Sequence, residues 1–353
     1  MSIQGNKKKS PKLFFLICFV VVLTMTIIAN RQSVLVKEIS IPLNNGISKL
    51  STCGKFLLAV SLDNKAYIIE WDNLSNKYRT IPVQSDQTVL LNNGIIVSTE
   101  KYNARSIVLT SLNGDTKSRA ITLDTGEGRA FLNIGRNQNT TIATIAQAKA
   151  NQQNQTTFTF YLVDPNNNST QYLFKADAGV DINQWISVSA SDDCKLISLC
   201  GEKQGRCWIA LCDMKEKRIA WETELPTPAL FYNCAFSPDS KLIFARGSDS
   251  AVYKFDSATG RLEGQLIPTK ENSSTIKNQH IQSVQVSNDG RLIAAVVSST
   301  VYIWDQNTDK KIFGRGPGHK LVSGMAFSPD SKLLATSDMR QGGKIRIWQL
   351  PEH

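Results

Sequence analysis

Apolar and polar residues alternate through most of this chain in runs of about four to eight, separated by Gly, Pro, Asn, Asp and Ser, which is the pattern of short strands and tight turns. It is clearest late in the chain, where Cys234-Ala-Phe-Ser-Pro-Asp-Ser-Lys-Leu-Ile243 returns as Met325-Ala-Phe-Ser-Pro-Asp-Ser-Lys-Leu-Leu334 and, more loosely, as Val284-Gln-Val-Ser-Asn-Asp-Gly-Arg-Leu-Ile293. Each copy is an alternating run, a turn and a second apolar run, so each predicts an antiparallel hairpin. A third strand follows each one, at 251–256, 300–305 and 344–349. The repeating unit is therefore a small sheet, spaced at roughly 40 to 50 residues.

Read in order, the same unit recurs along the chain. After a lone alternating run, Ser33-Val-Leu-Val-Lys-Glu-Ile-Ser-Ile-Pro42, ended by proline, a first unit has its turn at Cys53-Gly54-Lys55. Its second strand falls at 56–60, its third at Tyr67-Ile-Ile-Glu-Trp-Asp72 and its fourth near 78–83. The second unit is degenerate, with strands at 88–91, 94–98, 106–112 and 118–123 and a hairpin signal at Asn113-Gly114. A third spans 129–176, with its third strand at 158–163 and a turn at Asp164-Pro-Asn-Asn-Asn-Ser169. In the fourth, 182–225, Ser191-Asp-Asp-Cys-Lys-Leu196 takes the place of Ser-Pro-Asp-Ser-Lys-Leu. With the three late units the count is seven. The seventh ends at Leu350, with only Pro351-Glu-His353 after it, and lacks a fourth strand. The orphan run 34–41 supplies one if it pairs with 344–349, which closes a ring of sheets without an open edge. The expected fold is all-β, a seven-bladed β-propeller over 33–353 closed by its N-terminal strand.

Two Trp-Asp pairs, Trp71-Asp72 and Trp304-Asp305, a third indole at Trp348, Gly318-His319 ahead of it and the repeated Phe-Ser-Pro-Asp-Ser-Lys-Leu resemble the WD-repeat β-propeller family. The resemblance is strongest over 230–350, fair over 47–83 and carried by spacing between them. It implies a structural network in the last blade that joins His319, Thr336 or Ser337, Asp338 and Trp348, with His280 and Trp304 keeping part of it in the sixth. Val163, Cys212 and Phe255 stand where the family has Trp. The resemblance also implies a binding role, and it does not name the ligand.

One segment does not fit a globule. Residues 13–29, LFFLICFVVVLTMTIIA, carry no charge and follow Lys7, Lys8, Lys9 and Lys12. Seventeen residues lie near the lower limit for a membrane-spanning helix, so an uncleaved anchor competes with a cleaved signal peptide. The anchor is the preferred reading. The run is longer than most signal cores, and Ile27-Ile28-Ala29 lacks a small residue at its first position. Cys18 follows Ile17 in mid-run, where a lipid-attachment cysteine does not belong. Lysines before the run outweigh Arg31 and Lys37 after it, which predicts a cytoplasmic tail at 1–12 and export of everything from about residue 31. If the segment is cleaved, the propeller is secreted. The formal net charge is +10, and no Asp or Glu precedes Glu38, so the four lysines explain part of that excess. No basic track interleaved with aromatics marks a nucleic-acid surface, and no nucleic acid is expected as partner.

The sequence offers little catalytic chemistry. Of the three histidines, His280 and His319 take structural positions under the resemblance and His353 is terminal. None converges by spacing with Cys, Asp or Glu to make a zinc or nucleophile site. Asp239, Asp289 and Asp330 recur in one tight turn, where the side chain bonds nearby backbone N–H groups. Neither a phosphate-binding Gly-rich loop nor a Gly-x-Ser-x-Gly elbow occurs, and no cofactor is expected. Cys200 and Cys207 flank Gly-Glu-Lys-Gln-Gly-Arg. They are either a cross-strand disulfide or, the preferred reading, two small buried hydrophobes.

Where the blades differ in length is more telling. Turns between first and second strands are almost constant. Insertions fall between second and third strands (100–105, 148–156, 201–206, 338–344) or between blades (176–184, 267–279), and both classes emerge on one face of a propeller. Variable loops on a rigid scaffold carry binding. Candidate contacts there are Tyr102, Arg105, Lys203, Arg206, Phe231, Tyr232, Lys270, Lys277 and Arg340, aromatic or cationic residues suited to an interface. The expected protein is a membrane-anchored, noncatalytic scaffold that binds a protein or peptide partner. Two alternatives are a propeller enzyme or small-molecule binder using the central channel, and an envelope assembly or secretion accessory factor.

Overall fold

The structure, a computed structural model, describes residues 34–351 apart from 44–45, 76, 86, 101–102, 113–118, 124–128, 134–140, 149–154, 182–185, 227–229, 269–282, 298–299, 316–317, 320 and 341. The chain opens with a lone strand, β1 (Val34–Ser40). Blade one is β2 (Ile47–Cys53), β3 (Phe56–Ser61), β4 (Lys65–Glu70) and β5 (Arg79–Pro82). Blade two is β6 (Thr88–Leu90), β7 (Ile95–Glu100), β8 (Asn103–Ser111) and β9 (Arg119–Thr122). Blade three is β10 (Arg129–Asn133), β11 (Thr141–Ala148), β12 (Thr156–Asp164) and β13 (Ser169–Ala178). Blade four is β14 (Ile186–Ala190), β15 (Leu196–Lys203), β16 (Arg206–Asp213) and β17 (Arg218–Leu225). Blade five is β18 (Phe231–Phe236), β19 (Leu242–Gly247), β20 (Val252–Asp256) and β21 (Leu262–Leu266). Blade six is β22 (Val284–Val286), β23 (Leu292–Val297), β24 (Thr300–Asp305) and β25 (Lys311–Arg315), and β26 (Val322–Phe327), β27 (Leu333–Asp338) and β28 (Lys344–Gln349) belong to blade seven.

Each blade is a four-stranded sheet in chain order except the seventh, which runs β1-β28-β27-β26. The first strand of the chain is thus the outer strand of the last blade, as the missing strand after Trp348 predicted. Val34 lies opposite Gln349 and Ser40 opposite Lys344, with a bulge between Leu35 and Lys37. Glu38 holds this register by accepting hydrogen bonds from Lys344 Nζ at 3.0 Å and Arg346 Nε at 2.8 Å. Those bonds, Lys344's first, keep its carboxyl below the usual carboxylate range. At the far end of the strand Ile41 N donates to the Gly343 carbonyl at 3.1 Å. Gly343 sits at φ +72°, where a Cβ would collide with the Ile41 carbonyl, so the closure needs glycine at that point.

The repeated Ser-Pro-Asp-Ser-Lys-Leu has a physical explanation in the turn it builds. In blade five the Ser237 hydroxyl donates to Asp239 Oδ1 at 2.7 Å and accepts from Leu242 N at 2.9 Å, while Lys241 N donates to the same carboxylate oxygen at 3.1 Å. Ser328 and Asp330 repeat the arrangement in blade seven, Ser287 and Asp289 in blade six, and Ser191 and Asp193 in blade four. The residue after the Asp takes positive φ: Ser240 at 60°, Ser331 at 61°, Gly290 at 75° and Cys194 at 56°. A short polar side chain or glycine tolerates that conformation. The degenerate Ser-Asp-Asp-Cys-Lys-Leu of blade four is therefore the same device.

Among the described residues the buried apolar side chains form seven clusters, one between each pair of neighbouring blades. The cluster that joins blade seven to blade one includes Ile39 and Ile41 from the closing strand and its exit. Alternation explains this: inward positions of each sheet meet the next blade, so both faces of every blade are covered.

Two expectations shift in detail. Trp71 falls just after β4, and the residue in the register position of Trp348 is Ile69, because Leu57 faces Ile69 as Leu334 faces Trp348. The Trp71-Asp72 pair thus belongs to the following turn and does not end a third strand. The expected loops at 100–105 and 201–206 are largely strand: Glu100 pairs with Asn103, and Lys203 pairs with Arg206 around Gln204-Gly205. No helix among the described residues is long and apolar enough to cross a membrane. Residues 13–29 lie outside the described part.

Candidate docking face and central tunnel

Strand direction gives the ring two unlike faces. The hairpin turns just described, together with the turns from third to fourth strands, lie on one, the turn face. Connections from second to third strands and from blade to blade lie on the other, the loop face. The innermost strands enclose a tunnel of about 590 Å³ to which all seven blades contribute. Apolar residues alternate along it with hydroxyl and amide side chains, Ser187, Ser283, Ser323, Gln87, Gln285 and Asn233 among them. Asn233 ties three blades together, since its Oδ1 accepts from Val284 N at 3.0 Å and its Nδ2 donates to Ser187 Oγ at 3.4 Å.

The loop-face mouth of this tunnel is cationic. Lys49 and Arg129 line it near the starts of β2 and β10. Lys49 Nζ reaches the Thr88 carbonyl at 3.2 Å, and the Arg129 guanidinium lies 5.8 Å from the Phe131 ring centre. Asp192, the charged residue of opposite sign on the lining, belongs to a hairpin turn and so to the other end. Beneath Tyr232, whose ring also lines the tunnel, the Arg246 guanidinium sits 5.3 Å from the ring centre. Arg246 is wholly buried and its three nitrogens make no hydrogen bond. Burial lowers its pKa to about 10, opposed by the proximity of Tyr232 and Asp249, so the side chain remains a cation at neutral pH. The sequence reading did not single out Arg246, although a lone charge inside Leu-Ile-Phe-Ala-Arg-Gly was the available signal.

The predicted contacts divide. Tyr232 is at the mouth, and Arg206 and Arg340 are exposed on loop-face turns. Lys203 is folded back onto its own blade, where it meets Glu222 at 3.3 Å and Glu224 at 2.9 Å with its side chain 17% exposed. Burial pulls its pKa down, but the two carboxylates outweigh this and hold it raised. Phe231 is not a surface residue. It is fully buried and packs edge-on against Tyr253 and Phe255, because the bulge between Phe231 and Asn233 turns Phe231 into the core and leaves Tyr232 facing the tunnel. Tyr102, Lys270, Lys277 and His280 lie outside the described residues, as does the side chain of Arg105.

In blade seven Trp348, Thr336 and His319 are joined by hydrogen bonds, with Asp338 beside the histidine. The Trp348 indole N–H donates to Thr336 Oγ1 at 3.0 Å, and Thr336 Oγ1 lies 3.0 Å from His319 Nε2. His319 Nδ1 lies 3.6 Å from Asp338 Oδ2, with both side chains fully buried. Nδ1 makes no hydrogen bond at that distance, so the hydrogen-bonded chain runs Trp348, Thr336, His319 and stops short of the Asp338 carboxylate it faces. Burial, then the nearby Arg346 charge, lower the His319 pKa to about 4. Ser337, the alternative member, instead bonds Ser323 at 3.1 Å. Blade six keeps Trp304, but Ala295 occupies the position of Thr336, so its indole has no hydroxyl to meet there.

The cross-strand disulfide does not form. Pairing extends to the turn, so Cys200 faces Ile209 and Cys207 faces Glu202, and the two sulfurs are diagonal neighbours rather than opposite ones. Neither cysteine is in a disulfide, and both are fully buried. Burial, with a hydrogen bond to the Cys234 thiol, raises the Cys200 pKa well above its usual value. Among the described residues no group of three or more His, Cys, Asp or Glu is placed to hold a metal ion.

Residues 271–305 and 310–349 match the family model for the WD domain, G-beta repeat. These stretches correspond to blades six and seven, and with the seven-bladed ring they support the resemblance drawn from the motifs. No curated protein matches the chain.

Proposed function

We propose that this chain is a membrane-anchored, noncatalytic interaction scaffold whose loop face docks a protein or peptide partner through an acidic segment. The WD-repeat resemblance suggests an interaction scaffold in general. The observation that carries the finer reading is the loop-face mouth, where Tyr232 stacks over Arg246 on one blade and Lys49 and Arg129 line the tunnel from two others, with Arg206 and Arg340 on the surrounding turns. Cationic side chains around a ring-lined opening attract and orient carboxylates. The apolar run 13–29 is read as an uncleaved anchor with a cytoplasmic tail, which puts the propeller on the extracytoplasmic side.

The test is capture from the native membrane. Crosslinking and pull-down of the intact chain should recover a protein partner, and Y232A combined with R340A should reduce its yield about tenfold without changing the amount of scaffold in the membrane. Equal recovery with the double variant would remove the loop face from the proposal. A reporter fused after His353 that is active only in the cytoplasm would reverse the topology.

A further inference from the structure

We infer that the turn face of the propeller rests on the lipid bilayer, with Val34, Leu35 and Val36 inserted in its interfacial layer and the loop face directed away from the membrane. The inference rests on the anchor reading above and adds an orientation to it.

Three observations carry it. Val34, Leu35 and Val36 are 56%, 44% and 54% exposed, and they are three of the seven large apolar side chains exposed among the described residues. The other four are scattered singly, and single exposed apolar residues need no explanation. Polarity along β1 is also graded. Its first residues are apolar and bare, whereas Glu38 is bound by Lys344 and Arg346 and Ile39 is buried.

The register then says which way this bare end points. Val34 pairs with Gln349 and Ser40 with Lys344, and β28 runs from the loop face to the turn face. Val34 therefore stands at the rim of the turn face, where Leu350 N donates to the carbonyl of Lys332 in the blade-seven hairpin turn. Ala29, the last residue of the apolar run, precedes Val34 by four intervening residues. That length spans at most about 17 Å, and each headgroup layer is itself roughly 6 Å deep. The chain thus enters the propeller from the turn face, with little slack, through its most apolar exposed segment.

Charge on the turn face indicates the kind of contact. Lys195, Lys241 and Arg291 each lie within 3.6 Å of the Asp of their own turn, and Lys55 lies 3.3 Å from Glu70. These four cations carry their own counter-charges, and Val34 to Val36, the segment nearest the apolar run, carries none, so the contact there is apolar insertion.

The experiment uses the full chain reconstituted into phosphatidylcholine vesicles, with p-benzoylphenylalanine introduced in place of Val36, Lys332 or Arg340 in separate preparations. Irradiation should give lipid adducts at Val36 and Lys332 at least tenfold above those at Arg340, unchanged when a fifth of the lipid is phosphatidylserine. Lipid adducts at Arg340 with none at Val36 would invert the orientation and overturn the inference. A chain-to-chain adduct at Val36 would assign the stripe to a second copy, again against it. Alkaline carbonate separates the two readings. If the chain stays in the vesicles but Val36 finds no lipid, the orientation fails while the anchor stands. If carbonate extracts the chain, the anchor itself fails.

Discussion

Single residues do the most specific work in blade seven, where one hydroxyl serves two aromatic rings. Replacing Thr336 with Val keeps the shape and removes the acceptor of the Trp348 N–H together with the partner of His319. Urea unfolding should show a loss of about 1–3 kcal/mol, the range for stranding buried polar groups. His319 also couples this blade to pH. Its folded pKa of about 4 lies below the usual 6.5, so between those values the unfolded chain binds the extra proton and stability falls as pH drops. Melting temperatures should therefore decline from pH 6.5 towards pH 4, and H319Q should flatten that part of the profile. Arg246 is the opposite case, a buried cation without a hydrogen bond. R246M should raise stability by about 1–3 kcal/mol, since an apolar side chain of similar length avoids desolvating a charge, and it should weaken partner capture at the same time. The network was legible in the sequence because Gly-His, Thr-Ser-Asp and Trp keep their spacing. Phe231 was not, because a bulge exchanges the faces of two adjacent aromatic residues and no residue at that point announces it.

At the scale of the element, the hairpin turn is the unit the sequence repeats and the closing strand is the unit it displaces. Ser237→Ala removes both a donor to Asp239 and an acceptor for Leu242 N, and should cost about 1–2 kcal/mol by chemical denaturation. The closing strand pairs its backbone with β28 and buries one side chain, Ile39. Ile39 is completely inaccessible in the cluster between blades seven and one, so I39A should cost about 2–5 kcal/mol and raise protease sensitivity around β28. Alternation placed most strands within a residue or two. It failed at 100–105 and 201–206, whose polar residues read as loop although Glu100 pairs with Asn103 and Lys203 with Arg206. Polarity marks exposure, and an exposed hairpin end still pairs its backbone. Trp71 is the converse case, an apolar residue that reads as strand but falls in the turn after β4, two positions past the register of Trp348.

For the whole molecule, blade count and closure followed from two facts of spacing, the recurrence of the hairpin and the want of a fourth strand after Trp348. Tunnel charge could not be read that way, because Lys49 and Arg129 belong to different blades and meet at one mouth only when the ring is complete. Ring closure also sets a schedule for synthesis. Lys344 reaches Glu38 across 306 positions, a loop whose closure entropy is about 5 kcal/mol. At about 5 to 20 residues per second, the first strand leaves the ribosome roughly 15 to 60 s before its partner exists. Throughout that interval β1 is an unpaired, apolar-ended strand. Each chain must keep its own first strand in reserve until its last blade arrives, and a neighbour further along in synthesis offers the same vacant edge. Crowding of nascent chains is therefore the condition under which this fold would exchange strands between molecules, and a membrane that occupies Val34 to Val36 early would act on the yield of monomer before it acts on anything the finished protein binds.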